Sequence, residues 1–264
     1  MRRHFTFPCE GVRLFGTIDQ ADGTTGLLIL TGGNELRSGA WAGQAQFAAR
    51  IAAAGYPVLR FDRRGCGDSE GVNAGFRGSA ADIAAAMSAL RAQCPQVTHI
   101  VAMGNCDAAS ALMLASGAGA DGLILSNPWT FDDDATDEAP PQAVRSHYRQ
   151  RLRDLGAIKR LLTGQVAIMP LLRSLLSASK AAAPPSTLAQ DMAAGIASFA
   201  GPIMFPVAGR DRTGLAFASG WSRDDERLAH CASATHSFVE AEARDWLVAM
   251  TLDGLRALDS NASK

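Results

Sequence analysis

Five short apolar runs, at residues 26–30, 57–61, 99–103, 122–125 and 202–208, set the main constraint on what this chain can fold into. The first four are separated by segments of helical character. Residues 38–54 place Phe47, Ala48 and Ile51 on one face and stop at Gly55. Residues 79–90 do the same with Ile83, Met87 and Leu90, and residues 106–115 form an alanine-rich stretch. Ser79 and Asp82 have the spacing of a capping box, with Asp in place of the usual Glu. Strands alternating with helices at this interval predict a parallel sheet covered on both faces, with right-handed crossovers. Two further strands are expected at 4–9 and 12–19, joined through Glu10-Gly11. Another is expected at about 228–234, before a terminal helix at 239–258 whose core contacts are Trp246, Leu247 and Met250.

The most informative stretch runs Ile100-Val101-Ala102-Met103-Gly104-Asn105-Cys106-Asp107-Ala108. It reads as strand, sharp turn, helix, with Cys106 at the turn between the small residues Gly104 and Ala108. Small flanks matter because such a turn brings helix and strand backbones together. The positive end of the helix dipole favours a thiolate at Cys106, and an adjacent imidazolium would favour it further. The carboxylate of Asp107 acts in the opposite sense. Taken alone, Cys106 would read as a small buried apolar residue.

A second stretch, Phe61-Asp62-Arg63-Arg64-Gly65-Cys66-Gly67-Asp68-Ser69, precedes it. It resembles the D-x-R-G-x-G-x-S segment that follows the fourth strand in many α/β-hydrolases, where its part is structural. Cys66 within it reads as incidental. With the turn at Cys106 standing where those proteins carry G-x-S-x-G, the resemblance implies an α/β-hydrolase fold with a cysteine nucleophile.

That fold calls for an acid and a base in the order nucleophile, acid, histidine. Asp211 follows the strand at 202–208, and His236 follows the last strand, so Cys106, Asp211 and His236 stand in the required order. Of the other imidazoles, His99 opens a strand and His230 lies within one, so both read as structural; His4 and His147 remain. Asp224, Asp225 and Glu226 are rival acids but fall inside a connection. The loop Thr31-Gly32-Gly33-Asn34-Glu35 occupies the place of the His-Gly-x oxyanion loop, which makes the backbone N–H groups of Asn34 and Asp107 the expected oxyanion donors. Gly33, Glu35, Trp129 and His147 are the expected substrate contacts.

Over almost its whole length the chain resembles the exosortase A system-associated hydrolases of branch one. The resemblance rests on Arg3-His4-Phe5-Thr6-Phe7-Pro8-Cys9, Gly32-Gly33-Asn34-Glu35, Phe61-Asp62-Arg63-Arg64-Gly65, Gly104-Asn105-Cys106-Asp107-Ala108, Asn127-Pro128-Trp129 and Thr235-His236-Ser237-Phe238. It implies a bacterial hydrolase from gene neighbourhoods for exopolysaccharide production and exosortase-dependent sorting, and it carries over no natural substrate. Dienelactone hydrolase and some peptide-synthetase thioesterases are similar in using cysteine at this turn.

The strand pattern stops at Asn127-Pro128-Trp129. From about 130 to 198 the residues read as helical, with an acidic stretch at 132–138 and a basic helix carrying Arg145, Arg149 and Arg153. We expect an inserted helical lid there, between core segments 1–129 and 199–264.

Composition bounds the rest. The 264 residues are 47% hydrophobic and 19% charged, enough for a large core, and Lys plus Arg (25) nearly balances Asp plus Glu (26). That balance gives no electrostatic reason to expect nucleic acid. The five cysteines contain no C-x-x-C, which fits a reduced, cytoplasmic chain without a zinc site. No run is long and apolar enough for a membrane span or a signal peptide. The expected function is hydrolysis of a carboxylic ester or thioester, without a cofactor, on a small acyl substrate. The rival readings are an acyltransferase or thioesterase acting on an acyl carrier, and a non-catalytic acyl-binding module.

Overall fold

The computed structural model describes residues 1–131, 186–222 and 225–262. Their strands are β1 (Arg2–Cys9), β2 (Val12–Asp19), β3 (Thr25–Leu30), β4 (Val58–Phe61), β5 (His99–Asn105), β6 (Gly122–Ser126), β7 (Ile203–Ala208) and β8 (Leu228–Cys231). Their helices are α1 (Gly43–Ala53), α2 (Ala80–Gln93), α3 (Asp107–Leu114), α4 (Thr187–Ala197), α5 (Arg212–Gly220) and α6 (Ala241–Ala262).

The strands form one sheet in the order β1-β2-β4-β3-β5-β6-β7-β8. β1 and β2 make an antiparallel hairpin, and β2 lies antiparallel to β4. From β4 to β8 every pairing is parallel. Central strands in such a sheet are covered on both faces, and β3, β4 and β6 are buried at every position.

Alternation along β3 divides the interior. Leu28 and Leu30 pack with Ile83 and Leu90 of α2, Leu112 of α3 and Met192 of α4. Leu27 and Ile29 pack with Ile51 of α1 and with Leu247 and Leu255 of α6. The two core clusters thus sit on opposite faces of the sheet.

Three local expectations need correction. The helix expected at 38–54 begins only at Gly43, because Trp41 and Ala42 adopt left-handed φ angles of 57° and 55°. The capping box at Ser79 and Asp82 does not form: Ser79 makes no side-chain cap bond. Asp82 instead pairs with Arg64 at 2.8 Å and is itself 3% exposed, so burial beside a guanidinium outweighs the cap. The strand expected to reach 234 ends at Cys231, where a turn toward His236 begins.

Most of the expected lid, with His147, Arg145, Arg149 and Arg153, lies outside the described residues. Within that span the described helix α4 packs Leu188, Met192 and Ile196 into the core shared with α3. Among the described residues no helix is long and apolar enough to cross a membrane, and no group of His, Cys, Asp or Glu is placed to hold a metal ion. All five cysteines are free.

Candidate active site

β5 is a central strand, paired with β3 on one side and β6 on the other, and its carboxyl end delivers Cys106. Cys106 adopts φ 60° and ψ −128°, a conformation rare for any residue with a side chain. Its N–H donates to the Ser126 carbonyl at 3.0 Å, and its own carbonyl accepts from the N–H of Ala109 at 3.1 Å. The turn depends on a bare backbone at Gly104. A Cβ there would lie 2.6 Å from the Ala108 carbonyl carbon and 2.7 Å from the Ala109 nitrogen. Ala108 itself is fully buried. Cys106 is half-buried, whereas the other four cysteines are buried.

Asp211 follows β7 and caps α5, its carboxylate accepting the Gly214 N–H at 2.8 Å. The same oxygen, Oδ2, stands 2.9 Å from His236 Nδ1. The Cys106 side chain lies close enough to act on the same imidazole. The structure therefore brings Cys106, His236 and Asp211 together, with the imidazole paired to Asp211 and acted on by Cys106. The hydrogen bond to Asp211, then the interaction with Cys106, push the His236 pKa up to about 10 against the opposing effect of burial. Burial pushes the Asp211 carboxyl up, but hydrogen bonds from His236 and Gly214 outweigh it and hold the group below its usual value.

The His236 loop is pinned from beneath by two residues to which the sequence reading gave no chemical part. Asn105 Nδ2 donates to the His236 carbonyl at 3.3 Å, and Asn127 Nδ2 donates to the same oxygen at 3.2 Å. Asn127 Nδ2 also donates to Asn105 Oδ1 at 3.0 Å, while its own Oδ1 accepts the Ala208 N–H at 2.8 Å. Asn127 is fully buried and has a left-handed φ of 43°. An asparagine beside a proline just past a strand was the only signal for it.

The glycine loop after β3 lies against the turn. A Cβ on Gly32 would meet Asp107 Oδ1 at 2.7 Å and come within 3.7 Å of the Cys106 Cβ. The Gly33 N–H donates to Asp107 Oδ1 at 2.7 Å. Arg63, 3% exposed, donates to the Gly33 carbonyl and stands 3.6 Å from Asp107 Oδ2. Asn34, one residue on, is exposed, and its side-chain oxygen accepts from Asn73 at 2.8 Å. Glu35 accepts from the Ala40 N–H at 2.6 Å and from Gln44 Nε2 at 2.9 Å. Trp129 donates its N–H to the Cys106 carbonyl at 3.3 Å and stacks edge-on against Phe131.

In the stretch at 61–71, the fully buried Asp62 accepts from the Arg37 N–H at 2.6 Å and the Asp68 N–H at 3.2 Å. Cys66 is buried there, and burial pushes its thiol pKa up.

A cavity of about 510 Å³ opens on the α1–α6 side of the sheet. It borders Glu35 of the glycine loop, Asn105 next to Cys106, and Ser237 and Phe238 next to His236.

Comparison with solved structures finds the same architecture. The esterase Pf2001 of Pyrococcus furiosus superposes with a TM-score of 0.63 at 15% identity, over 97% of this chain and 90% of that one. Est1E of Butyrivibrio proteoclasticus, solved with ferulic acid bound, gives 0.60 at 14%, over 98% and 100%. A proline iminopeptidase of Mycobacterium smegmatis gives 0.59 at 12%, over 97% and 100%. These likenesses carry the fold alone. No curated protein matches in the sequence comparison. The alpha/beta hydrolase family model matches residues 27–250, which is most of the chain. By that match and by its parallel sheet with a turn at Cys106, the chain belongs to the alpha/beta hydrolase family.

Proposed function

We propose that the protein hydrolyses a carboxylic ester or thioester through Cys106, with His236 as acid–base and Asp211 as its orienting partner. The observation that carries this reading is the meeting of Cys106, His236 and Asp211 at the carboxyl ends of three strands, with His236 Nδ1 2.9 Å from Asp211 Oδ2. An imidazole held up to about 10 is a strong base, suited to take the Cys106 proton as the sulfur attacks.

The thiolate attacks the carbonyl carbon, and the carbonyl π electrons move to oxygen. The Asp107 N–H at the start of α3 holds that oxyanion with a second donor from Gly33 or Asn34. As the tetrahedral centre collapses, the bond to the leaving group breaks and His236 gives that group its proton. A water molecule then attacks the thioester acyl-enzyme. His236 accepts a proton from it, and the acid leaves as Cys106 is released as thiolate. Asp211 keeps the imidazole in one tautomer and orientation throughout.

The motifs Gly32-Gly33-Asn34-Glu35 and Gly104-Asn105-Cys106-Asp107 support a place among the exosortase A system-associated hydrolases, and so a part in bacterial exopolysaccharide production. A thioester intermediate reacts readily with amines and thiols, so transfer of the acyl group to a carrier is the second reading.

Burial of the other four thiols makes Cys106 the first to react with iodoacetamide. Alkylation confirmed at Cys106 by peptide mass spectrometry is expected to abolish turnover of a short p-nitrophenyl ester and of an acyl thioester. Turnover that survives complete alkylation would overturn the mechanism.

A further inference from the structure

Two opposite charges meet at the glycine loop, Arg63 from the stretch after β4 and Asp107 from the turn at Cys106. Each stands at an unspecified position of its motif: Arg63 is the x of D-x-R-G, and Asp107 is the residue after the nucleophile. Arg63 is 3% exposed. Its Nη1 donates to Ser79 Oγ at 3.2 Å, and its Nη2 donates to the Gly33 carbonyl. Its Nε is buried and makes no hydrogen bond. Among the described residues Asp107 is the carboxylate paired with this guanidinium, and its Oδ2 stops 3.6 Å from Nη2, too far for a hydrogen bond.

A buried cation whose counter-ion stands off is unfavourable, and so is a buried donor without an acceptor. The carboxylate that would relieve both is held elsewhere, because Asp107 Oδ1 takes the Gly33 N–H at 2.7 Å. The Nε–H and one Nη2–H of a guanidinium lie along the same edge, and that edge binds a carboxylate through two hydrogen bonds. A charge-assisted bond of about 2.8 Å needs Oδ2 to move by only about 0.8 Å. Seating both oxygens on that edge draws Oδ1 off the Gly33 N–H. Asp107 thus has two places to put its charge, one covering a backbone donor beside Cys106 and one leaving it bare.

We propose that Arg63 is a positioning residue that takes up the Asp107 carboxylate when a substrate oxygen claims the Gly33 N–H. The proposal rests on the hydrolase reading above and adds to it the step that opens the oxyanion donor. No covalent bond changes in that step: the hydrogen bond from Gly33 to Asp107 breaks, the pair of Asp107 with Arg63 closes, and the substrate oxygen fills the vacated donor. Arg63 keeps its bond to the Gly33 carbonyl, so the loop carrying the donor stays tethered while the carboxylate leaves. The Asp107 side chain is 18% exposed, so it is not locked in packed hydrocarbon.

The test compares two reagents for Cys106 on the full chain. With an alkyl trifluoromethyl ketone the sulfur adds to the carbonyl carbon and the π electrons move to oxygen, so the adduct needs the donor. Iodoacetamide alkylates the same sulfur and makes no such oxygen. Arg63→Gln is expected to weaken ketone inhibition and to slow p-nitrophenyl acetate turnover, each about tenfold. The iodoacetamide rate should change by less than about twofold. In an Asp107→Ala background the same Arg63→Gln change should cost less than about twofold in ketone inhibition and turnover, because no carboxylate remains to be moved. Arg63→Lys keeps a cation there and should lose only about threefold, again only while Asp107 is present, which keeps the cycle readable if Arg63→Gln does not fold. Equal losses with and without Asp107 would make Arg63 a mere prop of the loop and overturn the proposal, as would equal losses for the ketone and iodoacetamide. Ester turnover that survives complete alkylation of Cys106 would bring down the hydrolase mechanism itself. Turnover that depends on Cys106 but shows additive effects of Arg63 and Asp107 would bring down the Arg63 assignment alone.

Discussion

The carboxylate of Asp107 accepts the Gly33 N–H at 2.7 Å, so the residue that follows Cys106 occupies a backbone donor of the loop lying against the sulfur. A donor committed to a carboxylate cannot also hold a developing oxyanion. A substrate oxygen that uses the Gly33 N–H must first displace the Asp107 side chain.

Asp107→Ala is therefore expected to raise ester turnover about tenfold, part of what one oxyanion donor supplies. Alkylation of Cys106 by iodoacetamide builds no oxyanion, so its rate should move far less. Stopped-flow acylation and alkylation rates on the same variant check this. Parallel changes in both would place the effect of Asp107 on the sulfur instead of the donor.

The triad pair should leave a signature in stability against pH. His236 is raised from 6.5 to about 10, so its contribution is complete below about pH 6.5 and is lost as pH climbs through about 10. Asp211 is lowered from 3.8, so its contribution is present above that value and is lost as pH falls through the depressed one. The two overlap most fully between about pH 4 and about pH 6.5. Urea unfolding of wild type and Asp211→Asn should show the widest gap near pH 5.5 and a narrower one near pH 10. A gap independent of pH would mean that Asp211 serves chiefly as the cap of α5.

Gly104→Ala tests the tight turn without touching a reacting group. The added Cβ meets backbone at 2.6 Å, and backbone yields less readily than a flexible side chain. A loss of about 2 kcal/mol in unfolding free energy is expected, with slower Cys106 alkylation as the turn shifts. Unchanged stability would show that α3 can slide along β5 at little cost.

Asn127→Ala removes one of the two donors to the His236 carbonyl and the donor to Asn105, and leaves the Ala208 N–H without its acceptor. A destabilisation of about 2–4 kcal/mol is expected from the orphaned buried groups. Ester kcat should fall while the alkylation rate changes less, because the His236 loop loses part of its anchorage but the sulfur keeps its turn. Thermal unfolding and single-turnover assays together separate the two effects.

The sheet was readable because its signals are local. Apolar runs at β3, β5 and β6 are bounded by glycine and proline, and the stretch around Cys106 needs small flanks that the sequence displays directly. The meeting of Cys106, His236 and Asp211 was readable from chain order alone, since strand ends of a parallel sheet converge on one edge. What could not be read depends on tertiary pairing. Asp82 looked like a helix cap until Arg64, distant in sequence, claimed it. Asn105 and Asn127 looked like loop residues because their partner is a carbonyl more than a hundred positions away. The start of α1 was misplaced because left-handed Trp41 and Ala42 have no signature in residue type.

One oxygen of Asp211 serves two masters, the first turn of α5 and the imidazole of His236. For a protein engineer this sets a geometric lock. Glutamate at this position would push the carboxylate past the reach of one partner or the other, and transplanting the acid to a neighbouring strand would require a new helix start to hold it. The helix is thus a mounting bracket, and reshaping α5 through Phe217 or Trp221 should tilt the imidazole without any change at the sulfur.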